Sequence, residues 1–258
     1  MQTKDLKERN KKENKNLKGW EYLIIFFNIV LLLINIILLI SVNKLLKEDN
    51  QKEQITDSER IKQYNTVFLG DSITHAYDLD KYFPIINTVN SGINGDNADM
   101  ILTTLEERVY QYNPTKVFLL VGTNDIRDEL TTKHITKTIE KIITSIKNNK
   151  PNIKIYVISV YPVNTNNEKY EQINMNSVGN RTNEKIIELN KSIRTMCKMN
   201  HIEYINIYDE LLDEEGNLDI KYTLEGLHLT EEAYQKITNI LIEYLEEEEI
   251  KIVRETNK

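Results

Sequence analysis

Cysteine is nearly missing from this chain of 258 residues: Cys197 stands alone. A single thiol excludes an intrachain disulfide and any multi-cysteine metal site. None closes the apolar segment near the N-terminus, so a lipid-modified cysteine anchor is excluded too. Two phosphate-binding signatures are also lacking, the Gly-x-x-x-x-Gly-Lys-Ser/Thr loop and the Gly-x-Gly-x-x-Gly turn, which leaves a nucleotide or flavin reading without a motif. Beyond the start of the chain acids outnumber bases. Residues 1–20 hold seven Lys or Arg against three acids, a local charge of +4, which leaves −11 for the remainder of a chain whose net charge is −7. That balance disfavours nucleic acid and anionic headgroups as main partners.

What is present divides sharply. Tyr22 to Val42 runs 21 residues without a charge and is dense in Leu, Ile, Val and Phe, long enough to cross a bilayer core as a helix. Ser41-Val42-Asn43-Lys44 matches a signal-peptidase site poorly, so the segment reads as an uncleaved signal anchor. Lysines and arginines crowd its N-terminal flank, with Lys44 and Lys47 just after it; the positive-inside rule puts the N-terminus in the cytoplasm and the rest outside. Asn28 and Asn35, seven apart, could bond a second helix or be merely tolerated. The expected organisation is a basic cytoplasmic segment (1–21), a transmembrane anchor (22–42), a polar stalk (43–62), a single folded domain (63–248) and a charged tail (249–258). As a helix the stalk would reach only about 30 Å, holding the domain close to a bacterial cell surface.

From Gln63 onward, short apolar runs alternate with helical periodicity. Strands are expected at Thr66–Leu69, Ile86–Val89, Lys116–Val121, Ile153–Ile158 and Glu203–Ile207, and helices at Ala98–Tyr112, Thr131–Asn148, Asn183–Met199 and Thr230–Leu245. Such alternation predicts an α/β fold with a five-stranded parallel sheet covered on both faces. Open parallel sheets bind ligands beyond the carboxyl ends of their strands. Gly70-Asp71-Ser72, Gly92 and Gly122-Thr123-Asn124-Asp125 follow the first three strands and would therefore converge at one edge, where Glu225-Gly226-Leu227-His228 could meet them. Together they offer a nucleophile, a base with an acid three residues before it, and donors for an oxyanion.

Those blocks, with Phe68-Leu69-Gly70-Asp71-Ser72-Ile73-Thr74 and Gly226-Leu227-His228-Leu229 in full, resemble the SGNH, or GDSL, hydrolases in the family's order from about Thr66 to Leu241. The likeness implies a flavodoxin-like three-layer α/β/α sandwich and acyl-ester hydrolysis without metal or organic cofactor. It differs from the α/β-hydrolase elbow Gly-x-Ser-x-Gly, because Thr74 takes the last position. Carried over, it makes Ser72 the nucleophile, His228 the general base, and the Ser72 and Gly92 N–H groups with the Asn124 amide the oxyanion hole. Asp71 and Asp125 would fix loop geometry. The family has Asp where this chain has Glu225, so three accounts stand: Glu225 replaces it, Asp219 reaches in, or a Ser-His dyad operates.

Among the other histidines, His75 is the rival base, and His134 and His201 have no expected role. The function expected is an esterase acting on acyl esters, with O-acetyl groups on surface glycans preferred. Lysophospholipid or other lipid esters, acyl transfer to a sugar, and an inactive wall-binding scaffold are the alternatives. The polar loop Pro162 to Arg181 reads equally as a substrate rim or as a mobile segment.

Overall fold

The computed structural model describes residues 26–44, 66–84 and 86–245, with residues 20, 24 and 47 singly. The expected cytoplasmic segment, most of the stalk and the charged tail lie outside the described residues. Two units are distinct, divided at Glu59 and Arg60. In the first, one helix covers Phe26–Lys44 and is long and apolar enough to cross a membrane. A signal sequence shares those properties.

In the second unit five parallel strands form one sheet: β1 (Thr66–Gly70), β2 (Thr88–Gly92), β3 (Lys116–Leu120), β4 (Lys154–Ile158) and β5 (Glu203–Ile205), in the order β2-β1-β3-β4-β5. The helices are α1 (Ser72–His75), α2 (Leu79–Tyr82), α3 (Ala98–Thr103), α4 (Leu105–Arg108), α5 (Thr123–Arg127), α6 (Thr132–Asn149), α7 (Met175–Val178), α8 (Asn183–Met199) and α9 (Glu231–Leu241). Polar side chains start the main helices. Thr131, Thr182 and Thr230 accept from the N–H groups of His134, Lys185 and Ala233, satisfying donors that the first turn leaves unpaired.

Alternation along the strands splits the core in two. Val67, Leu69, Val117, Leu119, Ile155 and Val157 face a cluster with Ile101 of α3, Ile135 to Ile146 of α6 and Ile186 to Ile193 of α8. Phe68, Phe118 and Ile158 face the other side, with Tyr77, Phe83 and α9. Register pairs Phe68 with Phe118 and Phe118 with Tyr156. Their rings therefore stack, each pair at 4.9 Å between centroids. This is an α/β sandwich with both sheet faces buried.

Departures from the sequence expectation have local causes. The helix expected over Ala98–Tyr112 breaks into α3, α4 and a 3-10 turn at Tyr110–Tyr112. Thr103 and Thr104 hydroxyls bond back to the Met100 carbonyl, and Arg108 turns into the interior. β2 starts two residues later than expected, because Ile86 N–H closes a turn onto Phe83 O. β5 stops at Ile205, and just beyond it the N–H groups of Ile207 and Tyr208 turn to Ser159 Oγ. The last helix ends at Leu241 and continues as a 3-10 turn, Ile242–Tyr244.

Phe118, 1% exposed and stacked on both sides, is the centre of the aromatic ladder. Phe118→Ala should cost about 3–5 kcal/mol, read as a lowered urea midpoint; a loss under about 1 kcal/mol would show that the ladder is not a main support of the sheet.

Candidate active site

In-register pairing sets Gly70 beside Gly92 on one side and Leu120 on the other. The loops that follow these three strand ends carry Ser72, Ile93 and Asn124. Ser72 is the first residue of α1, and Asp71 caps that helix by accepting from Ile73 N–H at 2.9 Å. The short helix is gripped at its far end as well: the Asn90 amide donates to the carbonyls of Thr74 and Tyr77, and Tyr234 Oη donates to Ile73 O. A Cβ on residue 92 would sit 2.1 Å from His75 N. Glycine is thus required for β2 to lie against α1.

Ser72 Oγ lies 3.1 Å from His228 Nε2, and His228 Nδ1 lies 2.5 Å from Glu225 Oε1. The same carboxylate oxygen also accepts from His228 N–H at 3.2 Å. The Glu225–His228 turn needs a left-handed residue at Gly226, with φ of 104°, where a Cβ would meet Asn164 O at 2.5 Å. Asn164 N–H and Asn174 N–H hold the carbonyls of Gly226 and Glu225, both at 2.9 Å. The stretch from Pro162 to Arg181 is therefore a brace for this turn, with a short helix, α7, inside it. Asp219 is elsewhere: it caps Lys221 N–H and pairs with Lys221 Nζ at 3.1 Å. His75 Nδ1 faces the Gly92 carbonyl at 3.3 Å, His134 pairs with Asp99, and His201 is exposed.

The remaining site residues also gather here. Asn124 is buried and donates one Nδ2 hydrogen to Asp96 O at 2.8 Å. Ser72 holds the first helical position, where an N–H has no carbonyl of its own helix to bond. Gly92 N–H differs from expectation, because it already donates to Asn90 Oδ1 at 3.0 Å. An oxyanion would have to share or displace that acceptor. Asp125 accepts from Ala98 N–H with both oxygens, at 3.0 and 3.2 Å, and so ties the β3 loop to α3.

Asn90, Arg108 and Arg181 escape a reading of motifs. Arg108 donates to the carbonyls of Gly70 and Ser91 and pairs with Asp96 at 2.5 Å. Arg181 donates to Thr123 O and to Asn124 Oδ1, each at 2.9 Å. Nothing in their sequence surroundings marks them, since each acts on backbone or amide groups distant along the chain. Ile93 and Leu224, the neighbours of Gly92 and Glu225, are exposed and give the rim some apolar character. Among the described residues no cluster of three His, Cys, Asp or Glu could hold a metal.

The family model described as GDSL-like Lipase/Acylhydrolase family matches residues 68–236. The chain belongs to that family. It shares 31% identity and a TM-score of 0.66 with a Streptococcus pneumonia protein described as a candidate platelet activating factor, over 79% of this chain and 97% of that one. An N-acylneuraminate cytidylyltransferase of Streptococcus agalactiae is 25% identical over 67% of this chain, which spans only 36% of that protein. A Gallus gallus platelet-activating factor acetylhydrolase IB subunit alpha2 is 23% identical, over 76% of this chain and 82% of its own length. The family is one of ester hydrolases, and the fold matches it.

Burial drives the pKa of Asp71 up to about 7 and that of Asp125 up to about 6, in each case against the hydrogen bonds they accept. Asp71 Oδ2 is buried without a partner. A carboxyl whose folded pKa is raised contributes most stability below its unfolded pKa and loses it as pH rises through the folded value. Stability relative to Asp71→Asn, which keeps the cap but cannot ionise, should thus fall by on the order of a few kcal/mol between about pH 4 and pH 7. Parallel stability-pH curves for the two proteins, from denaturant unfolding, would contradict a buried carboxyl here.

Proposed function

We propose that this protein is a membrane-anchored serine esterase that removes acyl groups, acetyl by preference, from glycans at the outer cell surface. The observation that carries the reading is the unbroken relay from Ser72 Oγ through His228 to Glu225, at the carboxyl edge of a sheet whose family is one of acylhydrolases.

In this mechanism Ser72 Oγ attacks the ester carbonyl while its proton passes to His228 Nε2. Glu225 holds the Nδ1–H tautomer and stabilises the imidazolium that forms. Charge developing on the carbonyl oxygen is met by the N–H groups of Ser72 and Gly92 and by Asn124 Nδ2, with Gly92 released from Asn90 Oδ1. The alcohol leaves with the proton from His228. Water activated by the same histidine then frees Ser72. Glutamate serves in place of the usual aspartate because the turn through Gly226 folds back far enough to absorb the extra methylene. Neither Asp219 nor a dyad is needed.

Acetyl is preferred because a relative over most of its length is named an acetylhydrolase, and a sugar because others are named for N-acylneuraminate. The chain matches only about a third of those sugar-handling proteins, so their own activity is not transferred. Anchoring rests on the Phe26–Lys44 helix and the basic flank before it, with the catalytic domain outside.

Full-length protein in detergent should hydrolyse p-nitrophenyl acetate faster than butyrate or octanoate, and Ser72→Ala should abolish both turnover and fluorophosphonate labelling. Preference for octanoate would favour lipid esters instead. Turnover absent in the presence of labelling would favour acyl transfer, and absence of both would favour a scaffold. Glu225→Gln should lower kcat by about 10³–10⁴-fold with the unfolding temperature nearly unchanged; near-normal turnover would assign the orienting role elsewhere.

A further inference from the structure

The Asn124 side chain can serve an oxyanion only if its amide is turned the right way. With nitrogen outward it donates; flipped, its oxygen would face the developing negative charge. Two neighbours of opposite chemistry decide this. The Asp96 carbonyl, which can only accept, stands 2.8 Å from Nδ2, and Arg181 Nη2, which can only donate, stands 2.9 Å from Oδ1. Either contact would become a repulsion on flipping. One Nδ2 hydrogen is spent on Asp96 O, which leaves the other free for substrate.

Arg181 is suited to this work and is otherwise unexplained. It is 3% exposed and has no carboxylate partner among its hydrogen bonds. Its fork instead meets four oxygens: Thr123 O through Nε, Ser177 O at 3.1 Å and Val178 O at 2.7 Å through Nη1, and Asn124 Oδ1 through Nη2. A lysine, with one nitrogen, cannot cover that spread. A charged donor on an amide oxygen also polarises the amide and strengthens its N–H as a donor. The brace that supplies Ser177 and Val178 is the one that holds the Glu225 and Gly226 carbonyls, so a single loop supports both halves of the site.

We propose that Arg181 is a positioning residue for catalysis: it locks the orientation of the Asn124 amide and raises its strength as an oxyanion donor. The proposal rests on the reading of Asn124 as such a donor. Steady-state hydrolysis of p-nitrophenyl acetate by full-length Arg181→Met and Arg181→Lys should show kcat lowered about 10- to 100-fold with KM altered less than about threefold. Asn124→Ala should lose about 10²–10³-fold, and adding Arg181→Met to it should cost nothing more. Multiplying losses in the double variant, or an unchanged kcat in Arg181→Met, would overturn the proposal. Should Arg181→Met fail to fold, Arg181→Lys carries the same cycle.

A readout independent of turnover accompanies it. The Asn124 side-chain amide pair, identified in ¹⁵N–¹H spectra by its loss in Asn124→Ala, should shift upfield in Arg181→Lys and show faster rotation about the amide bond. An unmoved pair would overturn the proposal whatever the rates. A moved pair in a protein without serine-dependent turnover would retire the esterase reading while leaving the amide's lock in place.

Discussion

Parallel pairing of Gly70 with Gly92 and with Leu120 is the constraint on which the site depends. It brings three chain segments to the same height at one sheet edge, so the loops that leave them must share a small volume. Side chains there would collide. Glycine at 92 lets α1 lie on the end of β2, and this sets Ser72 at the head of a helix whose length is only one turn. A one-residue slip of β2 would replace Gly92 by Ser91 or Ile93 at that contact and drive a side chain into the His75 backbone. Register here is thus enforced twice, by the two cores of the sheet and by the absence of room at its edge.

Crowding several loop ends together also buries polar groups that water can no longer satisfy. Two arginines relieve this. Arg108 collects the carbonyls of Gly70 and Ser91 and the Asp96 carboxylate; Arg181 collects those of Thr123, Ser177 and Val178 with the Asn124 amide. Asp96 connects them, because its carbonyl accepts from Asn124. A continuous polar network therefore runs from the end of β1 to the brace over the Glu225 turn. Networks of this kind are worth making only when every member is satisfied. Asp71 Oδ2 and Thr123 Oγ1 are exceptions, and for Asp71 burial drives the pKa towards neutrality, where the neutral carboxyl avoids the cost of an unpaired buried charge.

What the sequence revealed and what it withheld divide along a physical line. Strands, sheet faces, and the convergence of the loops that carry Ser72 and Asn124 follow from periodicity and from the rule for strand ends, which depend on residues near one another in the chain; His228 was legible only through the resemblance of its motif. Asn90 bonds carbonyls 13 and 16 residues back in the chain and Arg181 bonds groups 57 and 58 residues back, and no period encodes either. The break after Thr103 was hidden for a similar reason: periodicity favours one helix, but an inward arginine serving the Gly70 and Ser91 carbonyls overrides it. The Pro162–Arg181 loop, balanced in sequence between rim and mobile segment, becomes a brace only once its backbone N–H groups are seen on Glu225 and Gly226.

In the proposed mechanism Glu225, a longer acid, takes the place of the shorter one that the resemblance implies. An aspartate three residues before a histidine reaches the ring from a relaxed turn; a glutamate in that turn would overshoot by about one bond, more than the roughly 0.5 Å that such roles tolerate. Here Oε1 accepts both from the ring and from the backbone N–H of the same histidine. That double engagement fixes the carboxylate over its own turn, and left-handed Gly226, pressed against Asn164 O, keeps the turn tight. The brace holds the carbonyls of Glu225 and Gly226, so the placing of this acid beside His228 depends on the conformation of a loop distant in the sequence.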